Sequence, residues 1–274
     1  MASLLPAQEA FQVETQGTGD PIVLIPGLAS SAEVWTATLQ ELHANYHCHA
    51  LTLAGFAQQK PLDQDSSFLP LVQEAMTSYL ETFEQPVTLI GHSLGGFLGL
   101  AVALERPELV ERLIIVDAYP FYSSAMQPGI TVDQVRGQAD FYRQSLKAMN
   151  KEYYAQQQKQ TIPILVRDSL GQELVLRWSL ASDQSTVAQA MYELMTTDLR
   201  PQLSALNVPT LVLGAGASGQ DYGLTQEALL ERIAAEYAAA MDQVNIELAP
   251  NAYHFIMLDE PAWFMEQVQE FLKQ

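Results

Sequence analysis

Cysteine, basic side chains, repeats and long apolar runs are all scarce in this chain. A single cysteine, Cys48, among 274 residues excludes an intramolecular disulfide framework, and no Cys/His cluster of metal-binding type occurs. Lys and Arg number 13 against 32 Asp and Glu, a formal net charge of −19. A field of that sign repels phosphate backbones and anionic lipid heads, so neither nucleic acid nor a membrane surface is an expected partner. The plainest consequence of the charge is solubility. No stretch is apolar for long enough to span a bilayer; residues 89–104 come closest, but they contain His92, Ser93 and glycines. Residues 1–11 lack a basic start and an apolar middle, so they do not form a signal peptide as given. A soluble protein is expected, cytoplasmic or, if a leader was removed, periplasmic or secreted.

What the chain does have is 48% apolar residues, enough for a sizeable core. Short apolar strands alternate with helical patterns, which predicts a mainly parallel sheet flanked by helices. Ile22-Val23-Leu24-Ile25 is a short, wholly apolar strand running into Pro26-Gly27-Leu28-Ala29. Ser30 and Glu33 fit a capping box that opens a helix through about His43. Strands follow over 48–53, 87–90 and 113–116, with an amphipathic helix over 68–83 and a helix over 94–105 that Arg106-Pro107 stops. From 118 to 206 the alternation stops. This segment is mostly helical in pattern and rich in Tyr, Met and Gln, among them Phe141, Tyr142, Tyr153, Tyr154, Trp178, Met191, Tyr192 and Met195. It is expected to be a cap inserted into a core formed by 1–117 and 207–274, with most of those side chains packing its own interior. The alternation returns with strands over 209–213 and 244–248, a helix over 225–241 and a closing helix begun by Pro261.

The chemistry centres on Gly91-His92-Ser93-Leu94-Gly95, which fits G-x-S-x-G, the nucleophile elbow. An apolar strand precedes it and a helix follows, as the motif requires. The small residues at 91 and 95 let the backbone bend sharply. The Ser93 hydroxyl then stands at a helix N-terminus, where developing negative charge is favoured. A serine hydroxyl needs a base. Of five histidines, only His254 lies in a loop after the last expected strand. His92 adjoins the serine and is expected to point away into the sheet, while His43, His47 and His49 flank an early strand as surface or packing residues.

With these motifs the chain resembles the α/β-hydrolase family. The likeness rests on Ile25-Pro26-Gly27-Leu28, on Gly91 through Gly96, on Pro209-Thr210-Leu211-Val212-Leu213, and on His254 followed by Asp259, Pro261 and Phe264. It implies an eight-stranded, mostly parallel sheet with a helical cap inserted after the sixth strand. It also implies an oxyanion hole made from the backbone N–H groups of Leu28 and Leu94. The acid departs from the family pattern. Members usually carry Gly-x-x-Asp just beyond the 211–213 strand, but here Gly214-Ala215-Gly216-Ala217-Ser218-Gly219-Gln220-Asp221 brings an aspartate about three residues late. A flexible glycine-rich loop could still deliver Asp221. The other candidate is Asp117, on the rigid carboxyl end of the preceding core strand, and it is preferred on that ground.

The expected activity is hydrolysis of a small or medium, largely apolar carboxylic ester through an acyl-enzyme on Ser93. His254 is the expected base, and Asp117, with Asp221 as alternative, the acid. No metal or organic cofactor is expected. Lactone or carbon–carbon bond hydrolysis by the same triad is the alternative chemistry. A non-catalytic ligand receptor of the same fold is the alternative class.

Overall fold

Ile22, Val23, Leu24 and Ile25 are all buried, as are Leu89, Ile90, Ile114, Ile115, Val116, Leu211, Val212 and Leu213. Strands that are apolar on both faces need cover on both faces, and helices flank the sheet. The computed structural model describes residues 7–62, 67–221, 223–240 and 242–274. Along the chain, α1 (Ala7–Ala10) leads into β1 (Phe11–Gln16) and β2 (Asp20–Ile25). Then come α2 (Thr36–Leu42), β3 (Tyr46–Leu53), α3 (Phe68–Leu80), β4 (Val87–His92), α4 (Leu94–Glu105) and β5 (Val110–Val116). Five helices follow without a strand: α5 (Tyr122–Met126), α6 (Val132–Ala148), α7 (Lys151–Leu165), α8 (Ser169–Leu180) and α9 (Gln184–Thr196). Alternation resumes with β6 (Thr210–Ala215), α10 (Gly216–Asp221), α11 (Gln226–Glu236), β7 (Val244–Ala249), α12 (Ile256–Asp259) and α13 (Pro261–Leu272). Among the described residues, no helix is long and apolar enough to cross a membrane.

The strands form one sheet in the order β1-β3-β2-β4-β5-β6-β7. Only β1 runs antiparallel, against β3. The family resemblance implies eight strands, but the described residues supply seven. The antiparallel edge consists of one strand, and the residues just before it are wound into α1. The helical segment therefore follows the fifth strand rather than the sixth.

Three local expectations also change. Ser31, not Ser30, caps the helix after β2: its hydroxyl accepts the Glu33 N–H, and the helix opens as a 3-10 turn over Ala32–Trp35. The helix expected over 225–241 ends at Glu236 and is followed by a 3-10 turn at Ala238–Ala240. The glycine-rich segment after β6 is a short helix rather than a flexible loop. It is docked by a bond from the Ala217 N–H to the Ala252 carbonyl at 3.1 Å, and a side chain at Gly216 would collide with the Ala249 carbonyl.

Cys48 is buried within β3. Burial pushes its thiol up to about 11, so it stays protonated and inert at neutral pH.

Candidate active site

Strand order reverses where β2 meets β4, because the chain leaves β2 for β3 on one side and later returns to β4 on the other. Loops after such neighbouring strands diverge and leave a crevice at their carboxyl ends. The register pairs Ile25 with Gly91, so the loop after β2 lies beside the elbow after β4. The contact is tight. A Cβ on Gly95 would stand 2.3 Å from the Ile25 carbonyl oxygen, and one on Gly91 would stand 2.3 Å from the Gly95 carbonyl oxygen.

Ser93 occupies the N-cap of α4 with φ 52° and ψ −119°, a conformation that L residues adopt only under constraint. Its N–H donates to the Val116 carbonyl at 2.8 Å, and its own carbonyl accepts from Phe97 at 3.0 Å. The first N–H groups of α4, that of Leu94 included, have no acceptor within the helix. Leu28 lies in the loop after β2 and lines the same cavity as Ser93. A Cβ on Gly27 would come within 3.2 Å of Ser93 Cβ, which shows how closely that loop approaches.

Asp117 follows β5 directly, at φ 47°. Its N–H donates to the Leu213 carbonyl at 2.7 Å. Its Oδ1 accepts the Ala215 N–H at 3.0 Å, and its Oδ2 lies 2.6 Å from His254 Nδ1. An ionised carboxylate accepts only, so Nδ1 carries the proton and Nε2 of a neutral His254 keeps its lone pair. The side chain of Asp221 lies outside the described residues; its backbone closes α10.

The loop carrying His254 is fastened on several sides. The Tyr253 N–H donates to Asp259 Oδ2 at 2.8 Å, while Asp259 Oδ1 accepts the N–H groups of Arg167 and Asp168. The Phe255 N–H reaches the Leu165 carbonyl at 3.2 Å.

His92 differs most from expectation. Rather than pointing away, it lies under the His254 loop. It is fully buried, its Nε2 donates to the His254 carbonyl at 3.0 Å, and its ring centroid is 4.6 Å from that of His254. Burial drives its pKa well below the usual histidine range, and neighbouring His254 adds to the effect. His92 is thus neutral. Its Nδ1 has no partner and faces Gly27, where a Cβ would sit 2.8 Å away. Nothing in the linear motif signals this role, because the partner is a backbone carbonyl 162 residues downstream. By contrast His49, on β3, contacts neighbouring His47 through one ring nitrogen and Tyr79 of α3 through the other, as a packing residue does.

Ser93 and His254 open onto one cavity of about 190 Å³, roofed by α6, α7, α8 and α9. Tyr142, Tyr154 and Met191 line it, Trp178 is buried, and Phe141 and Tyr153 are largely exposed. The aromatic residues of this segment thus divide between its core, the cavity and the surface. A larger groove of about 750 Å³ lies between α2 and α13, but neither Ser93 nor His254 lines it; both line the smaller cavity.

The α/β hydrolase family model matches residues 22–267. The chain belongs to that family. It is therefore a hydrolase-fold enzyme, as its motifs led one to expect. It is 26% identical to a pimeloyl-[acyl-carrier protein] methyl ester esterase of Citrobacter koseri, over 95% of this chain and 97% of that protein. It is also 26% identical to a putative carbamate hydrolase of Serratia proteamaculans, over 85% and 82%. An esterase from Exiguobacterium antarcticum superposes with a TM-score of 0.78 at 20% identity, covering 96% of each chain, which shows the shared fold.

Proposed function

We propose that this hydrolase cleaves small, largely apolar carboxylic esters through an acyl-enzyme on Ser93. The observation that carries the proposal is the 2.6 Å contact between Asp117 and His254 beside a cavity that both His254 and Ser93 line. His254 Nε2 takes the Ser93 proton as Oγ attacks the ester carbonyl. The backbone N–H groups of Leu28 and Leu94 hold the oxyanion, and each such donor contributes about 10²–10³ in rate. Collapse expels the alcohol, which receives its proton from His254. Water, deprotonated by His254, then attacks the acyl-enzyme and frees the acid and Ser93. His92 positions the base by holding its backbone.

The cavity, about 190 Å³, is below the usual ligand-pocket range of roughly 300–1,000 Å³, which favours a short acyl group. The named relatives include a methyl ester esterase, and a small alcohol fits the same room. We assign residues 1–117 and 207–274 to the catalytic core and 118–206 to a cap that roofs the site.

The test is hydrolysis of p-nitrophenyl esters from acetate to decanoate by the wild type, Ser93→Ala, Asp117→Asn and Asp221→Asn. The expected result is turnover that peaks at short chains, disappears in Ser93→Ala, collapses in Asp117→Asn and survives in Asp221→Asn. Equal rates for the wild type and Ser93→Ala on every ester would overturn the proposal in favour of a ligand-binding role.

A further inference from the structure

One wall of the cavity carries a hydrogen-bond relay unused by the steps above. It belongs to the cap helices α7 and α8. Tyr154 is buried, and its hydroxyl lies 3.1 Å from Ser179 Oγ. Ser179, also buried, donates to Gln158 Oε1 at 3.0 Å. The direction of the relay follows from donor accounting. Tyr154 has one proton to give, and the acceptor within reach is Ser179. Ser179 passes its own proton on to Gln158. The amide of Gln158 is thereby turned so that its carbonyl faces Ser179, leaving its two N–H groups over. Neither finds an acceptor among the described residues, and Gln158 lines the cavity. Successive bonds polarise one another, so the relay strengthens those donors.

The rest of the lining narrows what those donors meet. Among the described residues, no Lys, Arg, Asp or Glu lines the cavity. A carboxylate brought here would lose its hydration and gain no opposite charge, a net penalty. A neutral oxygen loses far less and satisfies the amide. Ser93 lines the same cavity, so the oxygen that meets the amide is placed on the acyl chain that Ser93 would carry.

We infer that Gln158, held by Ser179 and Tyr154, is a specificity-determining residue that selects esters whose acyl chain bears a second, uncharged carbonyl-type oxygen. The inference rests on Ser93-dependent ester cleavage in this cavity.

Three matched substrates test it: the p-nitrophenyl esters of hexanoate, of hexanoate with a ketone on its penultimate carbon, and of glutarate as the monoester. The chains are of similar length and differ in the group at the far end. The wild type is expected to favour the ketone over hexanoate by about tenfold in kcat/KM, and to disfavour the glutarate monoester. In Gln158→Leu the ketone-to-hexanoate ratio falls to about one. In Tyr154→Phe, which leaves Ser179 without its donor, it falls part of the way. The ratio is internal to each variant, so a change in the fraction folded cancels, and thermal melting of each variant checks the fold. A wild-type ratio near one, a ratio that survives Gln158→Leu, or a preference for glutarate would each overturn the assignment while Ser93-dependent hexanoate cleavage stood. If Ser93→Ala matches the wild type on all three esters, the hydrolytic proposal fails and takes this inference with it.

Discussion

Ser93 and Asp117 both sit at positive φ, 52° and 47°, a conformation that costs on the order of 1–3 kcal/mol per residue. Neighbouring strands keep them there: the Ser93 N–H is tied to Val116 and the Asp117 N–H to Leu213. Rigid placement matters because Asp117 fixes which nitrogen of His254 is free. Asp117→Asn keeps the shape but presents an N–H where an acceptor is needed, and kcat should fall about 10⁴-fold, measured on the best ester. If His254 acts as proposed, His92→Gln should lower kcat about tenfold or more with a smaller effect on KM, because the His254 loop loses its prop. At the same scale, His49 makes stability pH-dependent. Burial, aided by His47, pushes its pKa from 6.5 down to about 4. The folded state thus binds fewer protons than the unfolded state below pH 6.5. The stability His49 confers is complete above that pH and is lost as pH falls toward 4. Urea denaturation at pH 7.5 and 4.5 should show a loss of about 2 kcal/mol that His49→Gln removes. Equal loss in both proteins would exclude His49 as the cause.

Among the elements, α3 and α9 are joined by one buried carboxylate. Glu193, on α9, accepts the Phe68 N–H at 3.0 Å and the Leu69 N–H at 2.6 Å, which caps the start of α3 from across the molecule. The first-turn amides of a helix need such acceptors. Glu193→Ala leaves them buried and unpaired, so unfolding free energy should drop by about 2–3 kcal/mol in urea titration, with Glu193→Gln recovering part of it. The junction of β2, β4 and α4 is less forgiving. Gly95→Ala places a methyl 2.3 Å from the Ile25 carbonyl oxygen; either α4 moves off the sheet or the chain fails to fold. The expected result is loss of soluble protein or of more than about 4 kcal/mol of stability. A normally stable, active Gly95→Ala protein would contradict the packing described.

For the whole molecule, a net charge of −19 means self-repulsion that salt should screen. Melting temperature should rise between about 10 and 200 mM NaCl, and a flat or falling curve would show that local ion pairs outweigh the overall field. One such pair joins α8 to the segment after β2: Glu33 accepts from Arg177 at 2.6 Å and from Trp178 Nε1 at 2.6 Å. Both the Arg177 and the Glu33 side chains are substantially exposed, so most of the hold comes from the half-buried indole bond rather than from charge attraction.

The residues alone settled whatever depends on near neighbours in the chain. The apolar runs fixed the core strands, Gly91 through Gly95 marked the turn that presents Ser93, and α4 has the bounds its pattern predicts because Arg106-Pro107 ends it. Failures came where distant segments compete. Ser31 rather than Ser30 became the cap, and Gly216 and Gly219 read as part of a loop until docking against Ala249 and Ala252 wound them into a helix. Asp117 and Asp221 were both open from the sequence, because hydrogen-bonding reach is a distance in space. Only the closing of β5 against β6 and the return of the chain after β7 brought Asp117 within 2.6 Å of His254. The roles of His92 and Gln158 were decided in the same way, since each faces a partner or a cavity that long-range packing creates.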